Sequence, residues 1–192
     1  LAAAAGRDPY QYRRDLLDHA ARFRAVLDVA AEKGGWGAPL AANQGRGIAI
    51  HRSFGTIVAE VVDVEFTDGE LSVPRVVCAV VDGYAMHHDG MAALMESGVA
   101  YGMTAALYGE LSIRGGAVAQ SNVHDYPMLR MDKAPTVETH IINSGEALGG
   151  AGEPGTPPIA AALANAIYSA TGVRVRELPI HQHDLTHPAL RD

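Results

Sequence analysis

Three segments rich in valine and isoleucine place the strongest constraint on how this 192-residue chain can fold. They are Ile48–His51, Thr56–Phe66 and Leu71–Val81, and β-branched residues pack well on a pleated sheet. Asp68-Gly69, between the last two segments, predicts a hairpin turn. Pro74 predicts an edge strand or a bulge, because proline cannot donate a ladder hydrogen bond. Both faces of these strands carry apolar residues, so we expect the sheet to be covered on both sides.

Helical patterns lie before and after these strands. Asp8-Pro9 is a favourable helix start, since Asp caps a helix and Pro suits its first turn. Apolar residues then recur at three- and four-residue spacing from Leu16 to Ala30, and Gly34-Gly35 ends the helical region. Residues 36–46 predict a loop.

The second half of the chain alternates helices and strands. Residues 89–108 predict a helix with Leu94, Met95, Val99, Met103, Ala106 and Leu107 as its apolar positions. Gly98 and Gly102 on this helix would let another backbone approach closely. The other predicted elements are a hairpin at Gly115-Gly116, a strand at Thr136–Asn143, a helix at Ile159–Thr171 ended by Gly172, and a last strand at Val173–Leu178.

This element order predicts an α+β fold, a mixed or antiparallel sheet with packed helices. We expect one domain within residues 1–192, made of a helical segment over residues 1–35 and an α+β core over residues 47–192.

Composition narrows the classes of function. The net charge is −7, from 15 Lys and Arg against 22 Asp and Glu, and the basic residues are scattered, which argues against a nucleic-acid partner. The sequence contains no run of about 18 apolar residues, so it predicts no membrane span. Cys78 is the single cysteine, so an iron–sulfur cluster built from this chain alone is excluded. Its apolar strand predicts a buried small hydrophobe.

The most informative pattern is a glycine-rich loop with five glycines within residues 144–155. A loop between a strand and a helix N-terminus presents backbone N–H groups next to the positive end of the helix dipole. That arrangement suits an anion such as phosphate. Glu153 lies between Gly152 and Pro154 on this loop. It is either a charge that interacts with the helix dipole or a buried general base.

A dinucleotide-binding unit is an alternative interpretation of the same loop. Gly150, Gly152 and Gly155 fit the G-x-G-x-x-G spacing, and Glu177 lies near the expected acidic position. The prolines at positions 154, 157 and 158 argue against it, because they remove N–H donors where a pyrophosphate would need them.

Metal and nucleophile sites have weak support. The candidates are His87-His88 and His181-Gln182-His183 for a metal, and Ser121 with His124-Asp125 for a triad. Adjacent histidines do not easily share one tetrahedral ion, and no nucleophile elbow accompanies the Ser. We therefore predict no metal-ligating residues in this chain.

The glycine-rich loop and several other stretches resemble a known family. The loop block is Gly149-Gly150-Ala151-Gly152-Glu153-Pro154-Gly155-Thr156-Pro157-Pro158, followed by Ala164-Asn165-Ala166-Ile167 and Ala170-Thr171-Gly172. Further matching stretches are Gly6-Arg7-Asp8-Pro9, Arg46-Gly47-Ile48-Ala49, residues 105–110 and residues 120–127. Together they are similar to the C-terminal part of the molybdopterin-binding subunit of the xanthine dehydrogenase/aldehyde oxidase family, of the isoquinoline 1-oxidoreductase beta-subunit type.

The resemblance implies molybdenum hydroxylation of an aldehyde or N-heterocycle with oxygen derived from water. Glu153 matches the essential Glu of the family, which acts as general base toward the metal-bound hydroxyl. Gly150, Ala151 and Gly152 are implied as cofactor-binding residues for molybdopterin. The iron–sulfur clusters are implied on a partner chain, in agreement with the single Cys78.

Two departures from the family pattern accompany the resemblance. Leu94 stands where family members usually carry a Gln that contacts the pterin, and His87-His88-Asp89 stands in place of Asn-Pro-Asp. The second hypothesis is therefore a non-catalytic structural or assembly module that binds no cofactor alone. An isolated fragment is expected to be inactive in either case. The compartment (cytoplasmic or periplasmic), the substrate and the oligomeric state stay open.

Overall fold

The computed structural model describes residues 1–185, so residues 186–192 of the predicted core lie outside the described residues. The helices are α1 (Pro9–Asp15), α2 (Ala21–Lys33), α3 (His88–Tyr108) and α4 (Pro157–Thr171). The strands are β1 (Gln44–Ser53), β2 (Thr56–Thr67), β3 (Glu70–Val81), β4 (Ile113–Arg114), β5 (Ala117–Val118) and β6 (Thr136–Ile142). Short 3₁₀ turns occupy Met131–Lys133 and Ile180–Gln182.

The main sheet has the strand order β1-β2-β3-β6, and its first three strands are antiparallel. The turn between β2 and β3 is at Asp68 and Gly69, both with positive φ, as a tight hairpin turn of the predicted kind requires. Strand β6 pairs with β3 in parallel, and α3 lies on the connection between them. The prediction of a mixed sheet with packed helices is confirmed, and so is the small hairpin at Gly115-Gly116, formed by β4 and β5.

Pro74 lies at a bulge, as its position in a strand predicts. Asp63 pairs with Arg75 and Glu65 pairs with Ser72, so β3 carries one residue more than β2 between these pairs. The β6 ladder on the other side of β3 begins at Arg75. Pro74 therefore does not have to donate a ladder hydrogen bond.

Helices cover both faces of the main sheet, which confirms the expectation from its apolar strands. On one face, α2 packs Val26, Leu27, Ala30 and Ala31 against alternate residues of β2 and β3. On the other face, α3 and α4 pack their apolar sides against the remaining residues of these strands. The described strands are therefore sandwiched between two helical layers.

Glycines allow α4 to approach both β1 and α3 at backbone contact distance. A Cβ atom at Gly47 would overlap Ala162 O, and one at Gly45 would overlap Ala166 O. On α3, a Cβ at Gly98 would lie 3.0 Å from the backbone of Gly155, just before α4. The expected close approach at Gly98 and Gly102 is confirmed.

The prediction of one continuous N-terminal helix is wrong. Helix α1 ends at Asp15 and α2 begins at Ala21, and Leu16 is 60% exposed instead of joining a buried stripe. The chain folds back between them, so that Tyr10 and Leu17 pack against the apolar cluster of α2 and Arg14 forms an ion pair with Asp28 at 2.9 Å. The Tyr10 hydroxyl also donates to this carboxylate, at 2.8 Å.

One strand boundary differs from the prediction, and one predicted strand is absent from the described residues. Strand β1 begins at Gln44, inside the predicted loop, because Gln44 pairs with Glu65 and Gly45 leaves room for α4. Residues 173–178 form no strand. Arg174 instead stacks on Tyr168 of α4, and Val175 packs against the core, so helix contacts replace strand pairing.

One predicted apolar position of α3 is exposed. Leu94 is 39% exposed because it faces a surface cavity. The other predicted apolar positions of α3 are buried, as is Cys78.

Glu60 is a carboxylic acid inside the apolar layer between the sheet and α3–α4. It is fully buried on β2, opposite Cys78 of β3, and neither carboxyl oxygen has a hydrogen-bond partner within the described residues. Burial raises the pKa of Glu60 well above its usual range. The folded state therefore favours the neutral form of this side chain.

We expect Glu60→Gln to change how stability depends on pH. Below about pH 4.5 Glu60 is protonated in both the folded and the unfolded state. As the pH rises further, only the unfolded chain is stabilised by ionisation of Glu60. The unfolding free energy of the variant minus that of the wild type should then increase by about 1.4 kcal/mol per pH unit, up to the folded pKa. Urea unfolding from pH 4 to pH 8 measures this difference. A difference that stays constant would contradict a buried neutral Glu60.

Gly47→Ala should destabilise the chain, because the added methyl group would overlap the backbone of α4. We expect a loss of about 1–3 kcal/mol in the free energy of unfolding, the usual cost of overpacking. Gly152→Ala is the matched control, since a Cβ at that position meets nothing within 4 Å. Equal unfolding midpoints for the two variants in urea would show that the close approach at Gly47 is unimportant.

Candidate functional site

The glycine-rich loop, residues 144–155, connects β6 to α4 and lies across one end of the main sheet. Ser144 N donates to Gly83 O after β3, at 2.8 Å. Gly150 N donates to Phe54 O, in the β1–β2 turn, at 2.8 Å. The loop is therefore fixed to two separate strand ends.

A buried polar pair fixes the centre of this loop. The Asp82 carboxylate accepts from the Thr56 hydroxyl at 2.6 Å and from Gly149 N at 2.7 Å. Thr56 Oγ1 also lies 2.8 Å from Gly150 O. Both side chains are buried. Sequence reasoning missed this pair; the available signal was a Thr and an Asp at the ends of two predicted apolar strands.

Gly149 has to be a glycine for this arrangement to form. A Cβ atom there would lie 2.5 Å from Thr56 Oγ1 and 2.6 Å from Asp82 Oδ1. Contacts this short do not occur between real side chains, so any larger residue would push the loop off the polar pair.

The end of the loop enters the core under α3. Pro154 and Gly155 are buried, and a Cβ at Gly155 would lie 3.1 Å from Met95 O. Gly152 and Glu153 between these anchors are exposed, and Thr156 N closes a turn by donating to Glu153 O at 2.9 Å. Glu153 therefore stands at the tip of a loop that is fixed on both sides.

The structure corrects the expected setting of Glu153. Its side chain is exposed, not buried, because the anchors on either side of it hold the tip away from the core. It also lies before α4, whose first turn contains no acidic residue. Within residues 1–185 it forms no ion pair, so no cation of this part of the chain neutralises it.

Only part of the loop backbone can bind an anion. The N–H groups of Gly149 and Gly150 are used by Asp82 and Phe54. The N–H groups of Ala151 and Gly152 donate no hydrogen bond within the described part of the chain. Of the three predicted cofactor-binding residues, Ala151 and Gly152 therefore keep a free donor, and Gly150 does not.

A surface cavity of about 480 Å³ adjoins the loop at Leu148 and Gly149. Apolar side chains of the segment before α3, Tyr84 and Met86, and Leu94 of α3 line it, and Met86 is 84% exposed. This surface is apolar where the family pattern has the polar Gln.

His87 has a structural task at the start of α3. Its Nδ1 accepts from Gly90 N at 2.7 Å, which caps the helix. An Asn in the family pattern would supply the same kind of side-chain acceptor, so the exchange to His preserves the helix start.

The other sequence candidates do not form a site. Asp125 accepts from the backbone N–H groups of Ser121 and Asn122, and these hydrogen bonds lower its pKa and close a turn. His181 and His183 bond to the backbone oxygens of Leu107 and Glu177. Among residues 1–185, no group of three or more His, Cys, Asp or Glu side chains could hold a metal ion.

The geometry is unfavourable for the dinucleotide alternative. Helix α4 begins with Pro157 and Pro158, which have no N–H group to offer a phosphate, and Thr156 N is used within the loop. The loop therefore lacks the row of free amides that a pyrophosphate requires.

None of the helices in residues 1–185 combines the length and apolar character needed to cross a membrane.

Comparison with known proteins gives relatives over nearly the whole chain, although no protein-family model matches it. The chain is 34% identical over 186 residues to isoquinoline 1-oxidoreductase subunit beta of Brevundimonas diminuta, covering 94% of this chain and 24% of that protein. It is 32% identical over 127 residues to the aldehyde oxidoreductase molybdenum-binding subunit of Escherichia coli K12, covering 62% and 17%. The chain thus spans about a quarter or less of the length of these relatives.

Solved structures share the fold. Quinoline 2-oxidoreductase from Pseudomonas putida 86 superposes with a TM-score of 0.60 at 16% identity, over 65% of this chain and 17% of that one. At this identity the likeness supports the architecture alone.

We expect Thr56→Val to loosen the glycine-rich loop while preserving the packing at the strand end. The variant removes the hydroxyl that bonds Asp82 and Gly150, a loss of about 1 kcal/mol, so the Gly149 and Gly150 amides should exchange hydrogen about fivefold faster. Hydrogen exchange followed by NMR measures both amides. Thr67→Val, at the exposed end of β2, is the control and should leave them unchanged. Unchanged exchange in Thr56→Val would refute the anchoring role.

Proposed function

The chain belongs to the family of molybdopterin-binding subunits that includes isoquinoline 1-oxidoreductase subunit beta, and we propose that it is part of a molybdenum hydroxylase. Its substrate class is an aldehyde or an electron-poor N-heterocycle. The relatives are several times longer than this chain, so the reaction requires a site to which other parts of the subunit contribute. The observation that carries the proposal is the exposed Glu153 at the tip of a loop fixed on both sides.

The residues of the loop fit an anionic pterin cofactor. Ala151 and Gly152 have free backbone N–H groups, and a Cβ at Gly152 would meet nothing within 4 Å. A phosphate-bearing or carbonyl-bearing ligand could thus approach the backbone without a clash and accept hydrogen bonds. Ala151 and Gly152 are the residues proposed to hold the cofactor, and Gly150 supports them through its bond to Phe54.

When bound, the molybdenum cofactor supplies the two-electron oxidant and the metal that activates water-derived oxygen. This chain contributes a proton acceptor. The Glu153 carboxylate is free of ion pairs within the described residues, and the loop anchors at Asp82 and Gly155 restrict where it can lie. A general base must be held within hydrogen-bond reach of the proton it removes, which a fixed loop achieves better than a mobile one.

Electron transfer after the reaction is assigned to a partner. Cys78 is the single cysteine of the chain and is fully buried within β3, so it cannot ligate a cluster. We propose that the iron–sulfur clusters belong to another subunit.

A specific observation favours a second candidate function, a non-catalytic assembly module. Phe54, Tyr84, Met86 and Leu148 are all more than half exposed and surround the glycine-rich loop. Leu94, in place of the Gln of the family pattern, extends this apolar surface. Exposed apolar patches commonly mark an interface with another protein segment. In this alternative the loop docks other parts of the subunit and binds no cofactor.

The first candidate predicts that Glu153→Gln, made in the complete subunit with its partner, retains molybdenum and loses turnover. Removing a general base typically costs about 10²–10⁴-fold in rate, and the amide preserves the shape of the side chain. Metal analysis and turnover with benzaldehyde and isoquinoline measure the two quantities.

Glu70→Gln is the control, an exposed carboxylate at the start of β3. It should change neither metal content nor turnover. Full activity of Glu153→Gln would refute the role of Glu153 as base. A wild-type subunit that purifies without molybdenum would instead support the assembly module.

A further inference from the structure

A second cavity, of about 440 Å³, lies at the outer edge of β1, near the C-terminal half of α4. Its walls come from the N-terminal residues around α1, the loop after α2, the edge strand β1 and the side of α4 that carries Asn165 and Tyr168. Asn165 binds this edge strand directly, because its side-chain amide donates to Ile48 O at 3.2 Å. The volume is in the range of small-molecule sites.

This cavity is rich in arginine although the chain is acidic overall. Arg7, Arg13, Arg46 and Arg174 line it, against a single lining carboxylate, Asp8. In a chain with a net charge of −7, this local excess of cations is the reverse of the average surface. The ion-pair partners of these four guanidinium groups decide how much of this charge is available to a ligand.

Two of the four arginines are already neutralised from outside the cavity. Arg46 forms a bidentate ion pair with Asp63, in which Nε and Nη2 lie 2.6 Å and 3.1 Å from the two carboxylate oxygens. Arg7 pairs with Asp15. These two side chains shape the cavity wall but carry no surplus charge.

The other two arginines form no ion pair within the described residues, although the Asp8 carboxylate lies near enough to Arg13 to act on its pKa. Arg13 donates to Pro9 O at 2.9 Å, and burial lowers its pKa, a sign that its charge is poorly hydrated. The Arg174 guanidinium carbon lies 3.2 Å from the ring centre of Tyr168. The Asp8 carboxylate accepts from Gln11 N at 2.8 Å and from the indole N–H of Trp36 at 2.9 Å. Counting Arg13 and Arg174 against Asp8 leaves one positive charge uncompensated.

The remaining walls are flat and apolar. Trp36 presents a ring surface, Ile48 and Leu40 add aliphatic ones, and the face of Tyr168 is covered by Arg174. A guanidinium fork binds a carboxylate through two parallel hydrogen bonds, and aromatic walls favour a planar ligand. One surplus charge matches a monoanion better than a phosphate or a polyphosphate.

We propose that this cavity binds a small aromatic monocarboxylate, with Arg13 and Arg174 as its cationic recognition groups and Trp36 as an aromatic wall. The cavity is separate from the glycine-rich loop. Tyr168 follows Thr156, the residue before α4, by twelve positions, which places the cavity about 18 Å away along the helix. Its occupancy does not depend on the proposed hydroxylase function.

The chain contains its own reporter for this site, since Trp36 is its single tryptophan. Titration of the chain with benzoate should change the Trp36 fluorescence in a saturable way. Benzamide, which has the same ring without the charge, should bind at least about tenfold more weakly, because it loses a charge-assisted hydrogen bond. Acetate, which has the charge without the ring, should also bind at least about tenfold more weakly, because it loses the contact with the aromatic wall. Inorganic phosphate should give no saturable change.

Arg13→Gln and, separately, Arg174→Gln should weaken benzoate binding about tenfold, while Arg176→Gln, an exposed arginine that does not line the cavity, should leave it unchanged. Circular dichroism of each variant verifies folding, and the two independent arginine variants keep the test valid if one of them unfolds. The proposal is overturned by the absence of a saturable response to benzoate, by equal binding of benzamide or phosphate, or by unchanged affinity in both folded arginine variants.

Discussion

The close backbone approach of α4 to β1 and α3 is the constraint on which the rest of the structure depends. Gly45 and Gly47 let the helix lie directly on the edge strand, and Gly98 and Gly155 bring α3 against its beginning. Because side chains are absent at these contacts, the helix has little freedom to slide or rotate. The glycine-rich loop therefore joins α4 at a fixed point, which also restricts where Glu153 can lie.

Much of the fold follows from sequence periodicity because the pattern and the local chemistry agree. The hairpin at Asp68-Gly69 and helix α3 combine a strong apolar period with suitable turn or cap residues. Prediction failed where a tertiary partner decided the outcome. Helix α1 folds back on α2 through apolar contacts and the Arg14–Asp28 ion pair, and residues 173–178 contact α4 and the core instead of pairing with a strand.

The sequence predicted which segment forms the candidate site, but not the contacts that hold this segment in place. Glycine spacing singled out the loop around Glu153, yet no pattern indicated that Thr56 and Asp82 would anchor it, since their separation in sequence hides their contact. The same limit applies to Glu60, since β2 contains three acidic residues, Glu60, Asp63 and Glu65, and the sequence alone does not say which of them is fully buried. Whether a polar side chain of a sheet is buried depends on which helix packs over it. That depends on how the layers pack in the folded chain.

The two ends of α4 have opposite electrostatic characters, and this difference follows from the way each end is held. The beginning is held by backbone contacts at Gly155, and Glu153 before it is an exposed carboxylate that forms no ion pair among residues 1–185. The later turns are held by side chains, so Tyr168 carries the cation of Arg174 on its ring. A general base benefits from an environment without a neighbouring cation, whereas capture of an anion requires one. One helix, fixed by glycines, thus separates the exposed carboxylate of Glu153, the proposed general base, from a cation-lined cavity.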